Sequence, residues 1–277
     1  MIKDFTSQKV FITGGSSGIG LETAKQLAKK GAHIWLAARR TNLMEEACNQ
    51  ITACQRNPSQ VVDCVCLDVS NEEQVGRVLH DFILQNGVPD IVINSAGITH
   101  PGNFSDLELK VFRSMMEVNY LGTVNVLKAF IPGMIARRSG HIANISSMVG
   151  LLGIYGYSAY GASKYAIRGL SDVLRAELKP YGVNVSVIFP SDTDTPQLAF
   201  DESLKSPITR EIGGGKVVSA ASVAASLING IARNQYLIIP GFDNMFLYRL
   251  SELLGSTTYF VMDQIIAQAM RKHKIQL

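Results

Sequence analysis

Short apolar runs alternate with longer stretches of helical periodicity over the first 240 residues. In the helical stretches apolar residues recur three and four positions apart, as in Leu21, Ala24, Leu27 and Ala28. Strands that alternate with helices are typical of a parallel sheet covered on both faces. We therefore predict an α/β protein with a doubly wound parallel sheet in a single domain. The predicted strands are residues 9–13, 33–37, 61–67, 90–94, 141–145, 183–189 and 236–239, and the main predicted helices between them are residues 42–54, 72–85, 107–138, 158–179 and 219–232.

A glycine-rich turn joins the first predicted strand to the first predicted helix. Glycines let the backbone approach a pyrophosphate, and a helix N-terminus offers free N–H groups and a partial positive charge to it. A plain tight turn is the alternative, but the order of strand, turn and helix predicts the start of a Rossmann-type dinucleotide-binding domain. The cofactor contacts expected here are Gly14, Ser16, Ser17, Gly18, Ile19 and Gly20.

The second predicted strand ends in Arg39 and Arg40, where a cofactor with a free ribose 2′-hydroxyl would usually meet an acidic residue. Two guanidinium groups suit a 2′-phosphate instead, which predicts NADPH/NADP+ as the cofactor. Solvent-exposed arginines at a strand end are the alternative.

The carboxyl ends of the third and fourth predicted strands supply further candidates for the cofactor site. Asp68 is placed to accept a hydrogen bond from an adenine amino group, although an N-cap for the next helix is the alternative. Small residues after the fourth strand would let the chain pass close beneath a flat ring. The remaining contacts predicted at these two ends are Val69, Asn94, Ala96 and Gly97.

Tyr160 and Lys164 lie four positions apart at the start of a predicted helix, so both project from one face. A nearby ammonium favours the phenolate and lowers the pKa of a tyrosine, which can then exchange a proton with a carbonyl oxygen. Ser147, after the fifth predicted strand, can hold the same oxygen. Asn119 lies in an apolar helical stretch and is either a structural polar anchor or part of a proton route. By itself the Tyr160 and Lys164 pair also fits a solvated helix face.

Composition and charge exclude several classes of protein. The 277 residues are 47% hydrophobic and 18% charged with a net charge of +3, and the dispersed basic residues indicate no nucleic-acid surface. No secretory signal and no apolar stretch long enough to span a bilayer is found, which predicts a cytoplasmic protein. The four cysteines lack zinc-site spacing, no metal site is predicted, and we interpret the cysteines as small core residues with free thiols.

The pattern changes after the sixth predicted strand. Residues 191–215 are polar and glycine-rich, which predicts a mobile lid over the carboxyl ends of the strands. Residues 1–240, with this lid, form the predicted Rossmann-type domain. Residues 241–277 form a helical extension in which Phe242, Phe246 and Leu250 recur at helical spacing. Its apolar residues indicate core or subunit packing, or else peripheral contact with a membrane surface.

Five motifs in this order and spacing resemble the short-chain dehydrogenase/reductase family: Thr13-Gly-x-x-x-Gly-x-Gly20, Asn94-x-Ala-Gly97, Asn119, Ser147 and Tyr160-x-x-x-Lys164. The resemblance implies hydride transfer between a nicotinamide and a carbonyl or alcohol carbon, by a homo-oligomer. Tyr160 would then be the general acid/base, Lys164 would lower its pKa and hold the nicotinamide ribose, and Ser147 would position the substrate oxygen. Asn119 would support a proton relay. Pro190 and Thr193 would contact the cofactor, since Thr193 matches the family position that binds the carboxamide.

A narrower resemblance concerns Asp192-Thr-Asp-Thr-Pro196 and the residues around Tyr160, which are similar to a branch of the family that reduces long-chain 3-keto bases with NADPH. It implies a hydrophobic ketone substrate, a long-chain base whose alkyl chain lies in a channel built by the lid and the apolar tail. Ser95 and Ser191 depart from that branch. A reductase of 3-oxoacyl thioesters or steroids uses the same residues and stays open. A non-catalytic NADP-binding regulator is the alternative from another class, although such proteins commonly lose one member of the catalytic set.

Overall fold

A parallel sheet of seven strands forms the centre of the described chain, with the strand order β3-β2-β1-β4-β5-β6-β9. A computed structural model describes residues 2, 4–213 and 215–273. Because β1 pairs with both β2 and β4, the direction in which successive strands are added to the sheet reverses between β1 and β4. At such a reversal the connections leave a crevice at the carboxyl ends of the strands. The strands are β1 Lys9–Thr13, β2 His33–Ala38, β3 Val62–Cys66, β4 Ile91–Asn94, β5 Gly140–Ile145, β6 Val183–Ile188, β7 Thr193–Asp194, β8 Val218–Ser219 and β9 Leu237–Ile238.

Helices cover both faces of this sheet. In β1, Val10 and Ile12 pack with residues of α1, α2 and α9 on one face, whereas Phe11 packs with residues of α3, α5 and α6 on the other, because successive strand side chains point to opposite faces. The α/β doubly wound fold predicted from the apolar pattern is confirmed. The helices are α1 Gly18–Lys29, α2 Thr41–Thr52, α3 Glu72–Asn86, α4 Leu109–Met115, α5 Gly122–Ala136, α6 Ser158–Leu178, α7 Pro196–Leu204, α8 Pro207–Gly213, α9 Ala220–Ala232, α10 Phe242–Leu254 and α11 Thr257–Lys272.

The long helix predicted over residues 107–138 is interrupted by a π-helical turn, Met116–Leu121, between α4 and α5. The turn contains Asn119, which is buried. Its side-chain amide accepts a hydrogen bond from the Ile98 amide and donates one to Ser163 Oγ. A widened turn of this kind is often found at functional sites, and apolar spacing alone does not reveal it.

The predicted lid contains two short helices, α7 and α8, which its polar and glycine-rich composition did not indicate. Thr195 caps α7 by accepting a hydrogen bond from the Leu198 amide (3.3 Å), and Pro196 occupies the first turn, which are strong signals for a helix start. The strand β7 pairs with β8 at the base of this segment. Residue 214 of the predicted lid lies outside the described residues.

Two helices, α10 and α11, form the described part of the predicted C-terminal extension, as the apolar spacing indicated. Tyr248 of α10 is buried against Phe189 and Ile239 at the end of the sheet. Over the described residues, the helices are too short or too polar for any of them to cross a bilayer. Residues 274–277 lie outside the described residues, and the division at residue 240 stays a prediction.

The cysteines differ from their predicted role. Cys48 of α2 and Cys64 of β3 form a disulfide, Cys54 is half-buried and Cys66 is exposed. Because β3 is one of the two edge strands of the sheet, its side chains are only partly covered. The interpretation as core residues with free thiols is therefore wrong for Cys48 and Cys64, which are bonded to each other, and for the exposed Cys66, whereas Cys54 is a free thiol that packs against the core.

Candidate active site

The crevice at the carboxyl ends of the strands contains a cavity of about 620 Å³. A cavity of this size is within the range of small-molecule sites. Its wall combines the glycine-rich turn, the ends of β2, β4, β5 and β6, the start of α6, the two lid helices and both C-terminal helices. The predicted cofactor and catalytic residues that line it are Gly14, Ser16, Ser17, Gly18, Ile19, Arg39, Arg40, Asp68, Val69, Ala96, Gly97, Ser147, Tyr160, Lys164, Pro190 and Thr193.

The glycine-rich turn is held tightly against the end of β4. Thr13 Oγ1 accepts hydrogen bonds from the Ser95 and Ala96 amides, both at 3.1 Å. Gly14 has a φ of 65°, and a Cβ on it would lie 2.7 Å from the Ala96 backbone, so only glycine fits. Ser17 is the N-cap of α1, and among the described residues its side chain makes no capping bond to the first amides. Those amides are therefore available to a phosphate.

Two predicted cofactor residues meet at the ends of β2 and β3. Arg39 Nη1 lies 3.8 Å from Asp68 Oδ2, and both side chains are partly exposed. Asp68 Oδ1 accepts bonds from the Ser70 amide and hydroxyl, whereas Asn71 caps α3 by accepting from the Gln74 amide at 2.9 Å. The alternative role of Asp68 as the helix N-cap is therefore wrong.

Asn94 and Gly20 are not among the described residues that line the cavity. Asn94 is buried, and its Nδ2 donates to Asn144 Oδ1 at 2.9 Å, an interaction within the sheet between neighbouring strand ends. Their predicted contacts with a cofactor stay predictions.

Asn119 is held on both sides by other parts of the chain. Its Oδ1 accepts from the Ile98 amide (2.8 Å), while its Nδ2 donates to the Ile98 carbonyl (3.0 Å) and to Ser163 Oγ (2.8 Å). A Cβ on Gly97 would lie 3.3 Å from Asn119 Oδ1 and 3.5 Å from Lys164 Nζ. The side chain of Asn119 thus acts as the structural polar anchor, and its predicted part in a proton relay stays a prediction.

Tyr160 and Lys164 lie one turn apart at the start of α6, as predicted. Lys164 is buried, its Nζ donates to the Ile145 carbonyl at 2.9 Å, and it lies 5.5 Å from the centroid of the Tyr160 ring. Burial lowers the pKa of Lys164 to about 8.

The electrostatics of Tyr160 differ from the sequence-based expectation. Burial, followed by the negative charge of Asp201, raises the pKa of Tyr160 above its usual value, and the Ser147 and Gln197 side chains oppose that rise. The expectation of a lowered pKa is wrong for the protein chain without a cofactor, because it considered one ammonium group and neither burial nor the carboxylate.

Ser147 and Thr193 approach the cavity from the ends of neighbouring strands. Ser147 caps a short 3₁₀ turn, accepts from the Val149 amide (3.4 Å) and donates to the Pro190 carbonyl (3.5 Å). Thr193 is buried and donates to the Ser191 carbonyl at 2.7 Å. The structure therefore brings the predicted serine, tyrosine and lysine together with Pro190 at one cavity.

Two cavity residues of α7, Gln197 and Asp201, were not predicted. They lie four positions apart and so share a helix face. Asp201 is 7% exposed, its Oδ2 accepts from Thr99 Oγ1 at 3.3 Å, and Oδ1 is buried without a hydrogen-bond partner among the described residues. Thr195 followed by Pro196 is a sequence signal for the start of α7. It predicts the helix but does not indicate which of its side chains are buried in the cavity wall.

Comparisons with known proteins concern the family and the fold of this chain. The model of the short chain dehydrogenase family matches residues 8–204. A 3-ketodihydrosphingosine reductase from Bos taurus is 39% identical over 246 residues, covering 88% of this chain and 73% of that protein.

Two solved structures share the fold. Levodione reductase superposes with a TM-score of 0.79 at 25% identity, covering 87% of this chain and 99% of the other. ElxO with NADP bound superposes with a TM-score of 0.73 at 25% identity, covering 85% and 97%. The family match includes the glycine-rich turn and the helix that carries Tyr160 and Lys164. This chain therefore belongs to the short-chain dehydrogenase family and is an oxidoreductase that acts on an alcohol or carbonyl group.

Proposed function

We propose that the protein uses NADPH to reduce the 3-keto group of 3-ketodihydrosphingosine to dihydrosphingosine. The relative from Bos taurus named above supports the substrate class. The observation that carries the proposal is the apolar wall that extends the cavity from Tyr160 to the C-terminal helices. Its members on α10 and α11 are Leu247, Leu250, Leu254, Val261, Met262 and Ile265. A long alkyl chain would be removed from water along this wall, which favours a lipid ketone over a small one.

The cavity also fits a dinucleotide. Gly14 allows close backbone approach, the uncapped amides of α1 can receive a pyrophosphate, and the absence of a side chain at Gly97 leaves room beside Lys164. When bound, the reduced nicotinamide supplies a hydride to the carbonyl carbon of the substrate. We assign the remaining predicted contacts, including Asn94, Thr193 and Pro190, to this cofactor as part of the proposal.

The choice of NADPH rests on Arg39 and Arg40, which line the cavity and are exposed. Arg39 has only a long contact with Asp68, at 3.8 Å, so its guanidinium can turn to a 2′-phosphate at little cost. Such a phosphate would form charge-assisted hydrogen bonds with one or both guanidinium groups.

In the proposed reaction, Tyr160 gives its phenolic proton to the substrate oxygen. The O–H bond of Tyr160 breaks as a bond forms between that proton and the developing alkoxide, and the tyrosine becomes a phenolate. The raised pKa keeps Tyr160 protonated before the reaction but also makes it a weaker acid, so proton donation depends on a group that stabilises the phenolate. Ser147 would hold the same oxygen, Lys164 would stabilise the phenolate through its ammonium, and Asn119 would support the return of a proton.

We further propose that α10 and α11 contact a membrane surface. One side of these helices lines the apolar cavity, and other side chains are exposed: Phe242, Phe246, Leu253, Tyr259 and Phe260. Exposed aromatic and aliphatic residues next to a lipid channel suit insertion into a lipid interface. Co-sedimentation with liposomes that is lost in Phe246→Ser would support this contact. A homo-oligomer in light scattering that dissociates in the same variant, without liposome binding, would identify the surface as a subunit interface.

The proposed function is tested by NADPH oxidation with 3-ketodihydrosphingosine in detergent, beside a 3-oxoacyl thioester and a steroid ketone. We expect a strong preference for the first substrate and a loss of at least about a hundredfold in Tyr160→Phe, since general acid catalysis contributes about 10² to 10⁴. Preference for a thioester or steroid would reject the proposed substrate, and unchanged turnover in Tyr160→Phe would reject the proposed proton donor.

A further inference from the structure

Asp201 is a buried carboxylate in the wall of the substrate cavity. It is 7% exposed, its Oδ2 accepts one bond from Thr99 at 3.3 Å, and its Oδ1 has no partner among the described residues. Burial of an ionised group without a full set of partners is costly, so such groups are usually paired or hydrogen-bonded. The environment of Asp201 therefore indicates a partner that arrives with the substrate.

The cations near Asp201 on the lid are already engaged elsewhere. Lys205, one turn further along, donates from Nζ to Glu202 at 2.5 Å and to Asp192 at 3.2 Å. The guanidinium of Arg210 lies 4.0 Å from Glu202. Lys205 is thus bonded to two other acids, so the three carboxylates of Asp192, Asp201 and Glu202 share this one ammonium group.

Asp201 also lies close enough to the proposed proton donor to influence it. The charge of Asp201 is the largest cause after burial of the raised pKa values of both Tyr157 and Tyr160. The rings of these tyrosines are 5.9 Å apart. Tyr160 and Asp201 line the same cavity, and Gln197, one turn before Asp201 on α7, hydrogen-bonds the Tyr160 side chain. A substrate whose carbonyl oxygen meets Tyr160 would therefore have its neighbouring carbon atoms beside the face of α7 that carries Asp201.

We propose that Asp201 binds the ammonium group on the carbon next to the ketone and thereby selects α-amino ketones over neutral or anionic ketones. This assignment rests on the proposed function and deepens it, because a long-chain 3-keto base carries its amine on the carbon adjacent to the carbonyl. The ammonium supplies the donor that Asp201 Oδ1 lacks. A 3-oxoacyl thioester offers no such cation at this position.

The ionisation of Asp201 agrees with this assignment. Burial raises the pKa of Asp201 to about 7, while Thr99 and Lys205 oppose the rise and Asp192 and Glu202 increase it. A bound ammonium would lower that pKa and stabilise the carboxylate. The ion pair would form away from water, where it is stronger than at an exposed surface.

The test compares two ketones that differ only in the amine. NADPH oxidation is measured with 3-ketodihydrosphingosine and with the same chain lacking the amino group, 1-hydroxyoctadecan-3-one, using wild type, Asp201→Asn and Glu202→Gln. Asp201→Asn keeps the shape of the side chain. Glu202→Gln removes the same charge from the next position of α7, where the side chain is exposed and binds Lys205, so it is the matched control.

We expect Asp201→Asn to lower kcat/KM for the amino ketone by about 10- to 100-fold, the range for a lost hydrogen bond to a charged group. Loss of the Asp201 charge also acts on the pKa of Tyr160, and this effect is common to both ketones, so the readout is the ratio of the two kcat/KM values. That ratio should fall by about 10- to 100-fold, and the remaining turnover of the ketone without an amine shows that the variant is folded. Glu202→Gln should leave the ratio of the two substrates near the wild-type value. A wild type that reduces both ketones equally well, or an Asp201→Asn variant that loses both rates equally, would overturn the assignment while leaving the proposed function standing.

A second measurement uses the reaction product as an inhibitor. Dihydrosphingosine should inhibit reduction of the amine-free ketone, and its N-acetyl derivative, which is uncharged, should inhibit at least about tenfold less well in wild type. In Asp201→Asn that difference should disappear. Equal inhibition by the two compounds in wild type would contradict an ammonium site. If only a thioester is reduced, the proposed function itself fails, and this outcome differs from each of those above.

Discussion

Replacement of Asp201 by asparagine is expected to stabilise the cofactor-free protein at alkaline pH. Burial raises the pKa of Asp201 from 3.8 to about 7. A carboxyl group whose pKa is higher in the folded than in the unfolded state stabilises the fold while it is protonated, and that contribution is lost as the pH rises through the folded pKa. Asparagine cannot ionise, so the variant avoids this loss.

The magnitude follows from the two pKa values. Between pH 5 and pH 7 the folded state holds a proton on Asp201 that the unfolded chain has released, and each pH unit changes the free energy of unfolding by about 1.4 kcal/mol. Ionisation of Asp201 therefore removes about 2.7 kcal/mol between pH 5 and pH 8.5. The stability of Asp201→Asn relative to wild type should rise by that amount over the same interval.

Urea unfolding at the two pH values, followed by the fluorescence of the single tryptophan, Trp35, measures this difference. Glu202→Gln is the control, because it removes a charge from an exposed position of the same helix and should show little dependence on pH. The result that would refute the reasoning is a stability advantage of Asp201→Asn over wild type that is no larger at pH 8.5 than at pH 5. In that case burial does not disfavour the ionised carboxylate, and the argument for Asp201 as a ligand site fails.

Three further predictions concern the cofactor, the glycine-rich turn and the base of the sheet. Arg39→Ala should weaken NADPH binding by roughly 1.5 to 3 kcal/mol and NADH binding much less; equal losses in fluorescence titrations would contradict a 2′-phosphate site. Gly14→Ala should destabilise the fold by about 2 to 4 kcal/mol, because φ is positive at this position and the added Cβ would lie 2.7 Å from the Ala96 backbone. Gly76→Ala is the control and should be neutral or stabilising, because nothing lies within 4 Å of its Cβ. Similar melting temperatures for the two variants would be inconsistent with the close approach at Gly14. Burial lowers the pKa of His141 to about 4, so the fold loses stability as the pH falls from 6.5 towards 4. Between pH 7 and pH 5 the free energy of unfolding of the wild type should fall by about 2 kcal/mol relative to that of His141→Gln. Equal changes for the two proteins in urea unfolding would contradict a buried neutral histidine.

The amino-acid sequence alone determined the class of fold and the position of its main chemical groups. Strands and helices depend on local periodicity, and a sheet whose two faces are both covered follows from the alternation of apolar runs. The spacing of Tyr160 and Lys164 and the order of strand, glycine-rich turn and helix are also local features. For this reason the main strands and helices of the sheet domain were predicted to begin and end within one or two residues of their bounds in the structure.

Only the tertiary structure decided the properties that depend on burial and on distant neighbours. The direction in which the pKa of Tyr160 shifts depends on the burial of the side chain and on Asp201, which is 41 positions away along the chain. The pairing of Asn94 with Asn144, the anchoring of Asn119 to Ile98 and the disulfide between Cys48 and Cys64 likewise join separate elements. Local patterns carry no information on which segments pack together, and the energy of a charge depends on how much water that packing removes.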